Sequence, residues 1–175
     1  MTTKTTQDLY YSAWATAWGL IGAVMGAQGL RRLVLPHYQL ADLLALLAWE
    51  HPGAVKDDKP FEGLIQQTRD YFNGKSVDFS EVVCDLPGEG TLGGLVLRAC
   101  RKIAYGQSRS YHALAETISR PDAARAVAGA LGKNNIPLIV PCHRVTYADG
   151  SLGGFSAPGG TELKQRMLNL ERRQK

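Results

Sequence analysis

The segment Leu86-Pro87-Gly88-Glu89-Gly90 places a proline and two glycines within four residues, and neither a helix nor a central strand runs through such a run. It also marks a change of charge. Residues 1–90 carry 7 Lys or Arg against 11 Asp or Glu, and residues 91–175 carry 13 against 5, so a half of −4 is joined to a half of +8 within a chain of net charge +4. The boundary is placed there, with an N-terminal structural domain over residues 1–88 and a C-terminal domain over residues 89–175. A basic half beside an acidic one points to a polyanion partner for the second half; basic residues scattered over solvated faces are the alternative.

The rest of the composition excludes several classes. A chain of 175 residues with 45% hydrophobic and 21% charged residues is ordinary for a globular protein and can build a core without a disulfide or a structural metal. Three cysteines, Cys84, Cys100 and Cys142, with no Cys-x-x-Cys spacing, argue against a disulfide framework and a cysteine-rich zinc site, and for a reducing compartment. The N-terminus lacks the apolar run of a secretory leader, and Trp18 to Gly26 is too short to span a bilayer, so a soluble, cytoplasmic protein without a membrane partner is expected.

In the first half, Tyr10 to Pro36 alternates apolar runs with glycines, and Gly26-Ala27-Gln28-Gly29 reads as a hairpin turn between strands. Helices are predicted over Leu40–Leu47, stopped before His51-Pro52-Gly53, and over Phe61–Phe72, ended by Asn73-Gly74. In the second half Thr91 is a candidate N-cap, and Leu92, Leu95, Val96, Ala99, Cys100 and Ile103 recur at helical spacing with Arg98, Arg101 and Lys102 opposite. Cys100 therefore reads as a buried small hydrophobe. Ser110 caps a helix to Ile118, and Ser119-Arg120-Pro121-Asp122 reads as a capping-box-like start for another helix to Leu131. Its inward stripe is Ala124, Val127, Ala128 and Leu131, with Arg125 and Gly129 facing out. Two short helices joined by a tight turn match a helix-turn-helix, a pattern shared with any αα-hairpin.

The chemistry centres on Ile136-Pro137-Leu138-Ile139-Val140-Pro141-Cys142-His143-Arg144-Val145. An apolar run bounded by prolines delivers Cys142 on a stiff approach. A thiol near its ordinary pKa is only slightly ionised at neutral pH, so a nucleophilic Cys142 needs a base or a cation, and His143 and Arg144 are the nearest candidates.

This run, followed by Asp149-Gly150-Ser151-Leu152-Gly153-Gly154-Phe155-Ser156 and ending in Lys164 through Leu168 and Glu171, closely resembles the signature of the O6-alkylguanine-DNA alkyltransferases. The resemblance extends upstream through Tyr105-Gly106, Ser110-Tyr111, Ala123 to Val127 and Asn134, covering residues 91–171; the N-terminal half matches in general layout only. It implies an α+β protein, with a small strand-rich, ribonuclease-H-like domain ahead of a mainly helical domain carrying a helix-turn-helix. It implies DNA repair by direct reversal: a single, irreversible transfer of the alkyl group from O6 of guanine, or O4 of thymine, to Cys142.

The resemblance also implies roles. Cys142 is the acceptor; His143 takes the thiol proton through a water, with Glu171 orienting the imidazole. Asn134 braces the turn into the cysteine segment, Tyr111 sits by the extruded nucleotide, and Lys164 offsets charge on the leaving base. Val145, Phe155 and Ser156 line the substrate pocket. Arg125 fills the gap left by the flipped base, and Ala124 and Gly129 permit close approach of that helix to the minor groove of double-stranded DNA carrying alkylated bases. Tyr111 belongs to the DNA contacts as well.

The departures are local. Ala157-Pro158 is an insertion relative to the commoner spacing, and Phe155 stands where Tyr is frequent. Some relatives hold a structural zinc in the first domain, but residues 1–90 offer only Cys84, His37 and His51, so no metal and no cofactor is expected. A monomer is expected. A protein that binds alkylated DNA without repairing it, and a cysteine hydrolase using Cys142, His143 and Glu171, are the alternatives; the intact cysteine motif argues against the first, and the paired helices against the second.

Overall fold

Three strands open the computed structural model, which describes residues 8–173; residues 1–7, on which the leader reading partly falls, and residues 174–175 lie outside the described residues. Strands β1 (Tyr10–Thr16), β2 (Gly19–Gly26) and β3 (Gly29–Val34) form an antiparallel meander. The expected turn at Gly26–Gly29 closes the second hairpin, and Gly29, at φ +104°, sits so close to the Val83 carbonyl that a Cβ would come within 2.5 Å of its oxygen. Helix α1 (Leu40–Glu50) crosses back, and the short strand β4 (Val55–Lys56) pairs parallel to β1, giving the order β3-β2-β1-β4.

The run Ile21 to Val24 is buried because both faces of the sheet are covered. On one face Val24 and Val34 pack against Leu43 and Leu47 of α1. On the other, Trp14, Ile21, Ala23 and Leu33 join a core that continues into the second half through Val96, Leu114, Val127 and Met167. Helix α2 (Glu62–Phe72) lies on that face, seated on β1 by the Trp14 indole, whose Nε1 donates to Thr68 Oγ1 at 2.9 Å.

The Pro-Gly break is ordered by the helix after it. Thr91 caps α3 (Leu92–Arg101), accepting from the Gly94 amide at 3.0 Å and donating to the Gly88 carbonyl at 2.7 Å, while Arg98 reaches the Pro87 carbonyl at 2.7 Å. The buried stripe of α3 differs from the one expected: Gly94 and Leu97 are inside and Leu92 and Leu95 only half-buried, because residues 79–82 wrap one flank, where Arg101 donates to the Phe79, Ser80 and Val82 carbonyls.

Strand β5 (Arg109–Ser110) leads into α4 (Tyr111–Thr117), capped as expected by Ser110, whose Oγ accepts from the Ala113 amide at 3.0 Å. The capping box expected at Ser119–Asp122 does not form. Ser119 takes a left-handed conformation at φ +59°, Pro121–Ala123 makes one 3₁₀ turn, and α5 (Ala124–Gly132) begins without a side-chain cap. Pro121 explains the change, since the residue before a proline is kept out of the α region and Arg120, at φ −137° and ψ 64°, cannot be the first helical residue after a Ser119 cap. Strand β6 (Val145–Thr146) pairs parallel to β5, and α6 (Gly160–Arg172) is the last element of the chain's second half. The chain is thus an α+β protein. Among the described residues no helix is long and apolar enough to cross a membrane.

Candidate active site

The residues between α5 and β6 carry a side chain of unusual connectivity. Asn134, 3% exposed, donates through Nδ2 to the Val140 carbonyl at 2.9 Å and to the Cys142 sulfur at 3.2 Å, and its Oδ1 accepts from the Ile136 amide at 3.0 Å. One amide therefore ties the end of α5, the apolar approach and the thiol together. Cys142 opens a 3₁₀ turn, Cys142–Arg144, and is buried. Its Sγ also lies 3.7 Å from Ser156 Oγ. Burial raises the Cys142 thiol above its ordinary pKa, opposed by the hydrogen bonds of Asn134 and Ser156 and by the charge of Lys164. At rest the sulfur is a thiol, and its proton must leave during any reaction as a nucleophile.

Next along the chain, His143 is fully buried, with Nε2 2.7 Å from Glu171 Oε1 on α6. Glu171 is 1% exposed and surrounded by donors. Arg144 donates from Nε to Oε2 at 2.9 Å and from Nη2 to Oε1 at 3.0 Å, the Gly106 amide donates to Oε2 at 3.0 Å, and the Tyr71 hydroxyl donates to Oε1 at 2.9 Å. Burial alone would raise this carboxyl; the hydrogen bonds and charges of His143 and Arg144 outweigh it and bring it down to about 2. Glu171 is thus a carboxylate. Burial lowers the His143 pKa against the opposing pull of Glu171, so the imidazole is neutral near pH 7. An ionised acceptor at Nε2 places the ring proton there and leaves Nδ1 as the free lone pair. Nδ1 is buried and has no hydrogen-bond partner among the described residues. Arg144, considered above as an aid to the thiol, instead spends its charge on Glu171 and on the Ile103 carbonyl, 2.6 Å from Nη1.

Beside the sulfur is a cavity of about 190 Å³ lined by Tyr111, Ala128, Leu131, Gly132, Cys142, Tyr147, Gly154, Phe155 and Ser156. Lys164 is fully buried behind it, with Nζ 3.3 Å from the Gly154 carbonyl and 3.5 Å from the Tyr111 hydroxyl; burial lowers its pKa. A larger groove of about 970 Å³ runs between residues 76–86 and α3, but none of Cys142, His143 and Glu171 lines it. Chemistry, and not size, therefore selects the smaller cavity.

The structure brings Cys142, Tyr111, Phe155 and Ser156 to one cavity and Asn134, His143, Glu171 and Lys164 directly behind it. Val145 is fully buried in β6 and does not line the cavity. Arg125 and Gly129 are exposed on the outer face of α5, and Ala124 is half-buried. Sequence reasoning missed Tyr147, whose ring lies 5.2 Å from that of Tyr111, and the Ala128, Leu131 and Gly132 wall. Tyr147 follows the cysteine motif closely enough to have been a candidate; Tyr71 carries no signal of its own. Among the described residues no group of three or more His, Cys, Asp or Glu side chains converges as a metal cluster would.

Residues 94–173 match the family described as 6-O-methylguanine DNA methyltransferase, DNA binding domain. The chain is 43% identical over 121 residues to the methylated-DNA--protein-cysteine methyltransferase of Mycolicibacterium paratuberculosis, covering 69% of this chain and 71% of that one. It is 36% identical over 152 residues to the inducible methylated-DNA--protein-cysteine methyltransferase of Bacillus subtilis, covering 84% and 83%. Its fold matches the crystal structure of Mycobacterium tuberculosis O6-methylguanine methyltransferase with a TM-score of 0.76 at 32% identity, over 95% of this chain and 94% of that one. It matches Mycobacterium tuberculosis OGT in complex with DNA at 0.77 and 32% identity, over 94% and 93%.

Proposed function

Because this chain belongs to the methylated-DNA--protein-cysteine methyltransferase family and is an enzyme of that kind, we propose that it repairs duplex DNA by moving the alkyl group of O6-alkylguanine, and of O4-alkylthymine, onto Cys142. The observation that carries this reading is the Cys142 thiol on the wall of a cavity of about 190 Å³, one residue from a buried imidazole bonded to a carboxylate. The thiol proton passes through a water to Nδ1 of His143, and the resulting imidazolium is balanced by Glu171. The sulfur attacks the alkyl carbon as the carbon–oxygen bond breaks, and the electron pair stays with the base. The Tyr111 hydroxyl and Lys164 offset the charge that develops there. The product is a thioether, which no residue of the site can cleave, so each molecule acts once.

A base inside the helix cannot present its O6 substituent to a buried sulfur, so the nucleotide is extruded into the cavity. Arg125, exposed on α5, takes its place in the stack, while Ala124 and Gly129 let the helix approach the minor groove. Residues 89–175 form the DNA-binding and acceptor unit in this reading, the protein acts as a monomer in the cytoplasm, and affinity falls with salt because phosphates dominate the contact.

Incubation with duplex DNA holding one O6-methylguanine is expected to add one methyl mass to the peptide containing Cys142, with at most one methyl per protein. Binding without mass gain would instead mark a protein that recognises lesions without repairing them, and repeated turnover would rule out a suicide acceptor.

A further inference from the structure

Helix α2 of the N-terminal half sends one polar group into the His143–Glu171 cluster. Tyr71 is fully buried, 100 residues from Glu171 in sequence, and its hydroxyl donates to Glu171 Oε1 at 2.9 Å, the same oxygen that His143 Nε2 approaches at 2.7 Å. Its ring is wedged edge-on against Phe72 and Tyr105, with centroids 5.1 and 6.0 Å away. The helix itself is held to the sheet by the Trp14–Thr68 hydrogen bond and by Arg69 Nε donating to the Ala15 carbonyl at 3.2 Å. A continuous set of contacts thus runs from β1 through α2 to the carboxylate.

We propose that Tyr71 is a positioning residue for the transfer reaction: its hydroxyl holds Glu171 Oε1 in line with His143 Nε2, making the N-terminal half part of the proton relay. This rests on the reading of Cys142 as the alkyl acceptor. Without Tyr71, Oε1 keeps only His143 and the two Arg144 donors, and the carboxylate is free to rotate toward Arg144 and the Gly106 amide. The groups facing the pair are few. Arg144 and His143 come from the 3₁₀ turn, Tyr71 from α2, Tyr105 from the segment after α3, and Lys164 from α6. Burial and Glu171 both raise the Tyr71 hydroxyl well above its usual pKa, so it stays a donor throughout the range in which His143 titrates. Removing a donor from Oε1 leaves more of the carboxylate charge to favour the imidazolium, and the His143 pKa rises.

The test is Tyr71→Phe, which keeps the ring and deletes the hydroxyl, read by three measurements on the full chain. The single-turnover rate constant for methyl transfer at pH 7 is expected to fall roughly 2- to 10-fold, the range set by losing one ordinary hydrogen bond. The acid limb of its pH profile is expected to move to higher pH, while affinity for lesion-bearing DNA stays within two-fold. Nitrogen-15 NMR of the His143 ring is expected to show the same upward pKa movement. An unchanged rate, pH profile and His143 titration in folded Y71F overturns the proposal, as does a loss confined to DNA affinity. If Y71F does not fold, the Tyr71 hydroxyl proton of the wild-type protein decides: a slowly exchanging resonance that shifts as His143 titrates supports the contact, and one in free exchange with water at every pH overturns it. The ring titration also separates this idea from the transfer reading, which alone fails if wild-type Cys142 remains unmethylated while His143 still responds to Y71F.

Discussion

Asn134 donates to the Cys142 sulfur at 3.2 Å with the same amide nitrogen that bonds the Val140 carbonyl. The arrangement makes the thiol's position a property of the turn that follows α5. The outer face of α5, proposed to meet DNA, therefore sits at a fixed distance from the reactive atom, through a side chain 3% exposed.

Asn134→Ala is accordingly expected to cost stability and chemistry together. It removes three hydrogen bonds and leaves the buried Ile136 amide and Val140 carbonyl without this partner, a loss of about 2 to 4 kcal/mol. Denaturant unfolding checks the first effect. Methyl transfer measured on the fraction that remains folded checks the second, and a transfer rate equal to wild type would show that the sulfur finds its place without the amide.

The pH dependence of transfer follows from the imidazole. Burial holds the His143 pKa below 6.5, so the ring is a free base at neutral pH and the rate is expected to be flat there. It then falls as pH drops through the depressed pKa, because a protonated ring cannot accept the thiol proton. Glu171→Gln removes the charge that supports the imidazolium and is expected to slow transfer at every pH while moving the acid limb lower. Stopped-time transfer assays across pH, with mass detection, distinguish this from a rate that tracks thiol ionisation alone.

Acid stability has a separate origin in the same carboxylate. Glu171 is brought from 4.5 down to about 2 in the folded chain, so its contribution is fully present above pH 4.5 and is lost as pH falls toward 2. The shift corresponds to roughly 3 kcal/mol. His143 acts in the same direction at higher pH: its folded pKa is lowered, so stability declines as pH falls below 6.5. Unfolding free energies of wild type and Glu171→Gln, compared at pH 7, 4.5 and 3, are expected to converge as the medium becomes acidic. A gap that persists undiminished at pH 3 would falsify the assignment.

Arg125 is exposed on α5, so Arg125→Ala is expected to leave stability within about 0.5 kcal/mol. Transfer from lesion-bearing duplex is expected to slow, while transfer from the free O6-methylguanine base, which needs no extrusion, is unaffected. Equal losses with both substrates would remove Arg125 from the extrusion step.

Gly153 packs against Tyr111, which lines the cavity: a Cβ there would collide with the Tyr111 hydroxyl, and Tyr111 Cε2 would lie 3.0 Å away. Gly153→Ala is expected to push Tyr111 into the cavity and reduce transfer of bulky alkyl groups more than of methyl. Competition between methyl and benzyl adducts reads the difference.

The features legible in the chain are those decided by near neighbours. Thr91 and Ser110 cap their helices because a hydroxyl reaches an amide three residues on, and Gly26–Gly29 turns because glycine accepts the backbone a hairpin needs. The helix of α1 is equally local, but its near-continuous apolar run does not say that Leu43 and Leu47 are the leucines that face Val24 and Val34 of the sheet. By contrast the same local rules misplace the start of α5, where Pro121 makes a 3₁₀ turn, and the α3 stripe, where residues 79–82 decide what is covered.

For the site, Cys142 with His143 and Arg144 beside it was readable from residue type as a nucleophile with candidate aids, while Glu171 as the group that orients the imidazole came only through the resemblance to the alkyltransferases. Direction was not. Arg144 turns from the thiol to Glu171, Val145 faces the interior, Tyr147 joins the cavity, and Tyr71 reaches Glu171 from 100 residues away. By itself the sequence determined helices α1 to α5, the caps of α3 and α4 and the presence of a cysteine chemistry, but not α6, because capping, periodicity and nucleophilicity are properties of short stretches and single side chains. The tertiary structure alone decided which donors share Glu171 and which lone pair of His143 is free, because hydrogen bonds between distant segments exist only after the core has brought those segments within about 3 Å.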